Sequence, residues 1–399
     1  MFISLVDFDS IKSHGLYSDL LREFVKNGHD ITIVSPNERR TKKKTICFDE
    51  KNVRFIKPLI GNIQKTNFFE KGISTMLLSA QLSGAIKKYC NDKQFDLILY
   101  ATPPITIYSV IKKLKMITNA KTCLMLKDIW PQEMVDLGLI RPNGILVRYF
   151  ARLERKLYNV SDLIGYSSKA NKEYLLKNNI DENKLIPVNN SVDATYNKGF
   201  LLDRKKFLND HGIDYDGRVF FYGGNLGKPQ DIDFLLRCLK TQLPYKDRFF
   251  VICGQGTEYS KIERFFEEEK PKNMKLFPFL PKDVYDEFIM AADVGMIFLN
   301  RRFTVPNCPS RFYTYMEYSK PIIACTDCTT DIKDDIIDGE FGWWMESSSQ
   351  HNFMQIINQI CQCSENEILA MGKKARQYLE KKYTVDRDYD SIVKALEKL

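Results

Sequence analysis

The sequence predicts an α/β protein made of two doubly wound, Rossmann-like domains that face each other across a cleft. Strand-like and helix-like patterns alternate along the whole 399-residue chain, which is typical of parallel sheets with crossover helices. A polar, turn-rich break at about 189–203 separates two such series. Sheets of this kind bind ligands beyond the carboxyl ends of their strands, so we expect the functional residues in the loops there.

Short apolar runs bounded by turn residues set the expected elements on either side of this break. Before it, strands are predicted near 2–6, 31–35, 53–56, 97–101, 121–126, 163–166 and 185–188. After it, strands are predicted near 218–222, 248–253, 274–277, 293–298 and 321–325. A final helical pattern covers about 384–399. The break therefore predicts one domain over residues 1–190 and a second that starts at residue 191.

The composition is that of a globular protein with ample core, at 44% hydrophobic and 28% charged residues. No window reaches the roughly 18 uninterrupted apolar residues of a membrane span. The first residues also lack the basic flank of a signal peptide. We therefore expect a cytoplasmic protein, or one bound to a membrane from the cytoplasmic side.

The net charge of +8 is concentrated in the first half of the chain: residues 1–190 carry +11 and residues 191–399 carry −3. A basic half favours an anionic surface as partner. Nucleic acid is not expected, because the basic residues are not interleaved with aromatic ones in an RNA-binding signature. Ten cysteines and four histidines offer only an isolated Cys325-Thr-Asp-Cys328, so no metal or cofactor is predicted.

The most informative stretch runs from Thr304 to Ala324. It predicts a loop, a short helix opened by Ser310 and, after a turn, a strand over Pro321–Cys325. A serine at a helix start caps a backbone N–H, and the free N–H groups there attract anions. Arg311 adds a guanidinium fork beside them. The segment suits a diphosphate, and it is also compatible with an ordinary capped helix that leads into a buried strand.

A second stretch, Val219–Leu236, predicts a strand, a glycine-rich turn and a helix. Gly223, Gly224 and Gly227 permit close approach of the backbone to a ligand, and Lys228 stands where a phosphate would bind. The alternative is a solvated lysine in a plain turn. Two phosphate-friendly turns in one α/β domain favour a bound nucleotide.

Together these stretches resemble the C-terminal half of the retaining glycosyltransferases of family 4, which have the GT-B fold. The N-terminal half agrees through Phe2–Val34, Phe95–Pro104 and Leu124–Glu133. The last of these, with Lys127-Asp-Ile-Trp-Pro131 at its centre, is similar to the subgroup that builds bacterial surface polysaccharides, which includes N-acetyl-fucosamine transferases. The resemblance covers nearly the whole chain.

The resemblance implies an acceptor-binding domain over 1–190, joined by a C-terminal helix, 384–399, that crosses back to it. It also implies a donor-binding domain over 191–383. The expected reaction is metal-independent transfer of a hexosyl or N-acetylhexosaminyl group from a UDP-sugar to a polyprenyl-diphosphate-linked saccharide. It would serve capsule or O-antigen assembly at the inner face of the cytoplasmic membrane.

Site residues follow position by position. Catalytic roles are expected of Lys228 and Arg311, because cationic groups must neutralise the leaving diphosphate when no metal does so. Asp128 is expected to orient the acceptor hydroxyl or to stabilise positive charge at the anomeric carbon. The expected donor-binding residues are Gly15, Gly224, Asn225, Lys228, Gly254, Leu280, Ser310, Arg311, Tyr313 and Thr314. His14 and Lys127 are expected beside the sugar or the acceptor.

Two departures from the family pattern leave alternatives open. Pro306 and Thr314 stand where many members carry two glutamates that hold the donor, and Glu317 is a possible substitute one turn away. Lys127 stands where many relatives carry histidine. A catalytically degenerate binding subunit is therefore an alternative. A UDP-sugar 2-epimerase is a further one, disfavoured by the few histidines.

A basic loop, 37–44, precedes a helical pattern over 67–82 that is apolar on more than one side. One interpretation is a buried helix beside a solvated loop. The other is a surface at which the basic cluster meets anionic lipid and Phe68 or Phe69 enters the interface. A lipid-linked acceptor would require the second arrangement.

Overall fold

The computed structural model describes residues 1–63, 66, 68–90, 94–196 and 202–399. The chain divides into two compact units. The first comprises Met1–Asp193 together with Val385–Leu399, and the second comprises Ala194–Thr384. None of the helices in these described ranges is both long enough and apolar enough to cross a bilayer.

The first unit is built on an eight-stranded sheet in which every neighbouring pair is parallel except the last. The strands, in order across the sheet, are Leu185–Pro187, Leu163–Tyr166, Lys121–Met125, Leu97–Ala101, Phe2–Ile3, Ile31–Val34, Val53–Lys57 and Ile46–Glu50. A separate two-stranded sheet pairs Asn37–Glu38 with Leu59–Ile60. The central strands are apolar on both faces, as expected of a parallel sheet covered by helices on two sides.

Helices cover both faces of this sheet. The α-helices are Leu16–Lys26, Phe68–Cys90, Tyr108–Thr118, Gln132–Asp136, Ile145–Val160, Lys169–Lys177 and Val385–Leu396, and the 3₁₀ turns are Arg39–Thr41, Ile105–Ile107 and Glu182–Lys184. The last α-helix packs against the first, with the rings of Phe24 and Tyr389 4.9 Å apart. The predicted return of the C-terminal helix is therefore confirmed.

The second unit contains a six-stranded, fully parallel sheet. Its strands, in order, are Met274–Phe277, Arg248–Gln255, Arg218–Asn225, Val294–Phe298, Ile322–Thr326 and Gly342–Glu346. Its helices are Arg204–Asp210, Ile232–Lys240, Tyr259–Glu269, Lys282–Ala291, Arg311–Glu317, Ile332–Gly339, Gln350–Gln362 and Glu365–Lys382, with a 3₁₀ turn at Lys228–Gln230. Phenylalanine and isoleucine side chains fill the space between sheet and helices.

The doubly wound architecture predicted from the sequence is confirmed, while four strands were missed. Ile46–Glu50 is an antiparallel edge strand that is partly exposed, so its pattern is weakly apolar. Gly342–Glu346 is also at an edge and begins with glycine. The two short partners Asn37–Glu38 and Leu59–Ile60 carry too few residues for a period of two to show.

Candidate functional site

The second unit has a topological switch point between the strands Arg218–Asn225 and Val294–Phe298. Successive strands wind outward from this pair in opposite directions, which opens a crevice at their carboxyl ends. Gly224 ends the first of these strands, and the segment that follows the second leads to Arg311. The topology therefore brings the two phosphate-friendly stretches of the sequence to one edge of one sheet.

Two glycines shape this edge. Gly224 and Gly254 are paired across neighbouring strands and have φ angles of +130° and +157°. A Cβ on Gly254 would overlap the carbonyl oxygen of Gly224, so the two turns can approach only because both residues lack side chains. The next turn packs as closely, with the Leu226 N–H donating to Gln255 O at 2.8 Å. The result is a closely packed pair of glycine turns, with Gly224 half-buried and Gly254 buried.

Arg311 lies against this backbone. A Cβ placed on Gly224 would be 3.0 Å from Arg311 Nη2, and the guanidinium carbon is 4.8 Å from the ring centre of Tyr222. Arg311 is only 8% exposed. Its Nη1 has no hydrogen-bond acceptor among the described residues, and none of the carboxylates described forms an ion pair with it. A buried, uncompensated guanidinium is costly, and an anionic ligand would supply its missing partner.

The helix that carries Arg311 is fixed by Tyr315. The Tyr315 hydroxyl lies 3.2 Å from Phe221 O and 3.3 Å from Met296 O, so it bridges the two strands at the switch point. Its ring packs directly on Gly295, where no side chain would fit. The guanidinium is therefore held in place by contacts to both strands.

Lys228 and Asn225 complete the turn. Lys228 opens the 3₁₀ turn Lys228–Gln230, and its side chain is exposed with no ion-pair partner among the residues described. Asn225 is exposed, and its amide donates to Gln230 Oε1 at 2.7 Å. Leu280 is half-buried in the loop after Met274–Phe277. The Gly254 N–H ties that loop to the turn through Pro278 O at 2.9 Å.

One expectation for the helix Arg311–Glu317, a capping bond from Ser310, is wrong. Ser310 is exposed and makes no capping bond, and its backbone is already helical, unlike that of a usual N-cap residue. The Tyr313 side chain is a core residue, 3.1 Å from Cys308 Sγ and packed edge-on against Tyr383. Thr314 is half-buried at the helix surface, and its Oγ1 donates to Ser310 O.

Glu317, the candidate substitute for the missing family glutamates, is deeply buried. Glu317 is 2% exposed at the end of the helix, and its carbonyl accepts from Arg376 Nη1 at 2.8 Å. This position lies a full turn from Thr314 and on the packed side of the helix. Pro306 is buried in the preceding loop.

The first unit places Asp128 at the carboxyl end of the strand Lys121–Met125. The nearby Glu133 lies in the first turn of the helix Gln132–Asp136, and Glu133 Oε1 accepts the Ile129 N–H at 2.9 Å. Burial raises the pKa of the Asp128 carboxyl, although the Lys127 charge opposes this. Burial and the nearby Asp128 charge raise the pKa of Glu133 further. Two carboxyls of raised pKa can hold a proton near neutral pH, as acid–base chemistry requires.

Gly15 and His14 are positioned by Asp19. The Asp19 carboxylate accepts the Gly15 N–H at 2.9 Å and lies 2.9 Å from His14 Nδ1. Burial alone would raise the pKa of Asp19, but the His14 contact and the backbone N–H of Gly15 and Asp193 lower it overall. His14 is thus held as part of this turn. Lys127 Nζ donates to Asn189 O at 3.1 Å.

Sequence reasoning overlooked three residues that organise these turns: Asp19, Glu133 and Tyr222. Asp19 is a buried acid on the inward face of the helix Leu16–Lys26, four residues after Gly15, and that position was the available signal. Glu133 likewise closes a turn four residues after Ile129. Tyr222 reads as one more apolar strand residue, and only the fold shows that it supports Arg311.

Comparison with known proteins places the chain in a class. Residues 17–196 match the model of glycosyltransferase family 4, and residues 203–378 match that of glycosyl transferases group 1. The chain belongs to family 4 of the glycosyltransferases, with the GT-B fold. It is therefore a glycosyltransferase.

Individual relatives are distant. WbjE of Pseudomonas aeruginosa, described as a probable glycosyltransferase, is 23% identical over 83% of this chain and 80% of its own length. WcaI of Escherichia coli K12, provisionally described as a colanic acid biosynthesis glycosyl transferase, is 20% identical over 59% of each chain. The solved structure of HepE from Anabaena, in complex with UDP-glucose, superposes with a TM-score of 0.68 at 15% identity, covering 100% of both chains.

Proposed function

We propose that this chain transfers a sugar, with retention of configuration, from a UDP-sugar to a lipid-linked saccharide during bacterial surface polysaccharide assembly, in capsule or O-antigen formation. The observation that carries the donor half is Arg311. Its guanidinium is buried, has no carboxylate partner in the part of the chain that the structure describes, and lies against the backbone of Gly224. A diphosphate is the ligand whose charge and size suit a guanidinium fork beside a glycine turn.

The choice of a UDP-sugar draws on a relative of the same fold, since HepE is seen with UDP-glucose. In this chain Gly224, Asn225 and Gly254 would border the diphosphate, and Leu280 would lie beside the base. Gly15, of the first domain, would approach the donor phosphate, and Thr314 would contribute one hydroxyl. The sugar itself, of hexosyl or N-acetylhexosaminyl type, depends on a few side chains and is left open.

The proposed chemistry needs no metal. Arg311 and Lys228 neutralise the charge that builds on the leaving diphosphate as the bond to the anomeric carbon breaks. The departing phosphate takes the proton of the acceptor hydroxyl on the same face, which accounts for retention. Asp128 orients that hydroxyl or stabilises positive charge at the anomeric carbon, and Glu133 holds the turn that carries it.

We further propose that the first domain binds the acceptor at an anionic membrane surface on the cytoplasmic side. Its residues up to 190 carry a net charge of +11. The helix Ile145–Val160 exposes Ile145, Leu146 and Tyr149 next to Arg148 and Arg152. Apolar side chains flanked by arginines are typical of a helix that lies in a lipid interface. Phe69 is exposed as that role requires, whereas the Phe68 side chain lies outside the described residues.

The alternative with a specific observation in its favour is a binding subunit without activity. Pro306 and Thr314 occupy the positions of the family glutamates, and Glu317 is buried. Arg311 weighs against a subunit that binds no donor, because such a subunit would gain nothing from a buried guanidinium without an ion-pair partner among the described residues. It does not separate an active enzyme from a subunit that binds the nucleotide without transfer. The 2-epimerase alternative has no specific observation in its favour, because the chain has only four histidines and one of them, His29, pairs with the Tyr389 hydroxyl at 2.9 Å.

The test is calorimetric titration of the purified protein with UDP, GDP and ADP in metal-free buffer. We expect selective UDP binding that weakens by about 100-fold or more in an Arg311→Ala, Lys228→Ala double variant, since two charged hydrogen bonds are lost. Lys272→Ala is the matched control, because that lysine is exposed at the opposite, amino-terminal edge of the same sheet. Unchanged binding in the double variant would refute the donor site, and UDP binding without any transfer would favour the inactive subunit.

A further inference from the structure

An open apolar groove lies in the first unit beside the start of the helix Phe68–Cys90. Its volume is about 630 Å³, within the range of roughly 300–1,000 Å³ that small-molecule sites occupy. The walls are formed by Leu59 and Ile60 on one side and by Phe69, Ile73 and Leu77 on the other. Apolar surface therefore dominates the lining.

The helix wall of this groove has no covering element among the described residues. Leu78, Leu82 and Ile86 turn inward and are fully buried, whereas Phe69 is 82% exposed and Ile73 61% exposed. The helix approaches its partner wall closely because Gly61 has no side chain: a Cβ there would be 2.8 Å from Ser74 Cβ. A helix that already packs on one face would gain nothing in stability from the exposed second row.

A basic segment borders one end of the groove. Arg39 lines the groove but pairs with Glu70 at 2.6 Å, and Arg40 and Lys43 pair with Glu38 and Asp9. Lys42 and Lys44 are exposed and have no ion-pair partner among the described residues. The segment stays beside the groove, because the Leu59 N–H donates to Thr45 Oγ1 at 2.9 Å. An apolar groove with such lysines at one end complements an amphiphile that joins a hydrocarbon chain to a strongly anionic group.

The groove lies at the same edge of the sheet as Asp128. Arg39 follows the strand Ile31–Val34, and Leu59 follows Val53–Lys57; both strands run parallel to Lys121–Met125 through the intervening pairs. Four strand spacings of roughly 4.8 Å separate Val53–Lys57 from Lys121–Met125, which is about 19 Å across the sheet. This is a distance that a short saccharide and a diphosphate can span.

From these observations we infer that the groove binds the proximal isoprenoid units of the acceptor's polyprenyl diphosphate, with the basic segment next to its diphosphate. The inference rests on the proposed function and deepens it. The groove binds one polyprenyl chain as a ligand, in addition to any contact of the domain with the bilayer surface. The chain would leave the groove toward the membrane, and the saccharide would extend along the sheet edge toward Asp128.

The experiment is titration of the full chain with farnesyl diphosphate, a water-soluble isoprenoid diphosphate, with inorganic pyrophosphate and farnesol as separate ligands. Ile73→Glu and Leu77→Glu put a carboxylate into the groove. Met76→Glu is the matched control, because Met76 is 82% exposed on the same helix but does not line the groove. All three positions are exposed, so thermal unfolding should stay unchanged and serves as the folding control.

We expect farnesyl diphosphate to bind more tightly than pyrophosphate or farnesol, and to lose at least roughly tenfold in affinity in both groove variants but not in Met76→Glu. Absence of binding to the natural chain, or an equal loss in all three variants, would overturn the inference. If all three variants lose binding to anionic vesicles while their affinity for farnesyl diphosphate is unchanged, the inference is also overturned. The exposed residues would then contact a bilayer surface and would not bind a single lipid chain. UDP titration of the same samples distinguishes the two proposals. If the donor-site proposal is wrong, the natural chain does not bind UDP; if only the groove proposal is wrong, UDP binding is retained.

Discussion

Replacement of Arg311 by methionine should change stability and ligand binding in opposite directions. Methionine keeps an unbranched apolar stem and removes the guanidinium; Arg311 is 8% exposed and has no carboxylate partner among the described residues. A residue retained for folding would destabilise the protein when removed. A residue retained for an anionic ligand would not.

The magnitudes follow from the surroundings of the side chain. Relief of a buried charge is worth about 1–4 kcal/mol when an apolar side chain fills the space. Loss of the cation–π contact with the Tyr222 ring lowers the stability by about 0.5–2 kcal/mol and so offsets part of that increase. We therefore expect the free energy of unfolding without ligand to rise by about 1 kcal/mol, or to stay level. For a unit of this size the corresponding change in Tm is about 2–4 °C.

The assay is thermal unfolding of both proteins with and without UDP. At a UDP concentration of 100 times the natural Kd, binding stabilises the natural chain by about 2.7 kcal/mol, or roughly 5–11 °C. If methionine weakens binding by about 100-fold, the same UDP concentration stabilises the variant by only about 0.4 kcal/mol. The UDP-dependent shift should therefore shrink to about 1–2 °C.

Arg237→Met is the matched control. Arg237 is an exposed arginine of the same unit whose guanidinium also lies over an aromatic ring, that of Phe234, at 5.5 Å. Its replacement should leave the UDP-dependent shift intact. A fall of several degrees in the Tm of Arg311→Met without UDP would mean that the guanidinium stabilises the fold, and an undiminished UDP shift would mean that it does not bind the diphosphate.

Two further outcomes follow from the same structure. Burial and the Asp128 charge raise the pKa of Glu133, so the folded chain binds the Glu133 proton more tightly than the unfolded chain does. The free energy of unfolding should therefore fall as pH rises from about 4.3, the ordinary pKa of a glutamate, toward the raised pKa. Glu133→Gln keeps an oxygen that can accept the Ile129 N–H. Its urea midpoint, relative to that of the natural chain, should rise between pH 5 and pH 8. A constant difference between the two midpoints over this pH range would contradict the prediction. Ser319 has a φ of +54°, so Ser319→Gly should raise the free energy of unfolding by about 0.5–1 kcal/mol in urea titration, and a decrease would show that the serine makes a compensating contact.

The two strand series and the C-terminal helix could be predicted from the sequence. Short apolar runs indicate buried parallel strands, and apolar residues with a 3.6-residue period indicate helices. The missed strand Ile46–Glu50 shows the limit of this reasoning. It lies at a sheet edge, where one face meets water and the pattern loses contrast. The same limit applies to Ser310, whose residue type favours a cap although its helical backbone prevents one.

The sequence by itself determined the class of protein, because its glycine-rich turn, its arginine after a proline loop and its alternating elements occur in an order that one family shares. Only the tertiary structure decided what those residues do together. Gly224 and Arg311 are 87 positions apart, and their contact exists because the sheet reverses its winding between the strands that precede them. The physical reason is that charge compensation and burial depend on through-space distance, which sequence separation does not encode. Among the described residues, the lack of a carboxylate partner for Arg311 and the exposed groove wall at Ile73 are properties of that packing, and so is the raised pKa of Glu133.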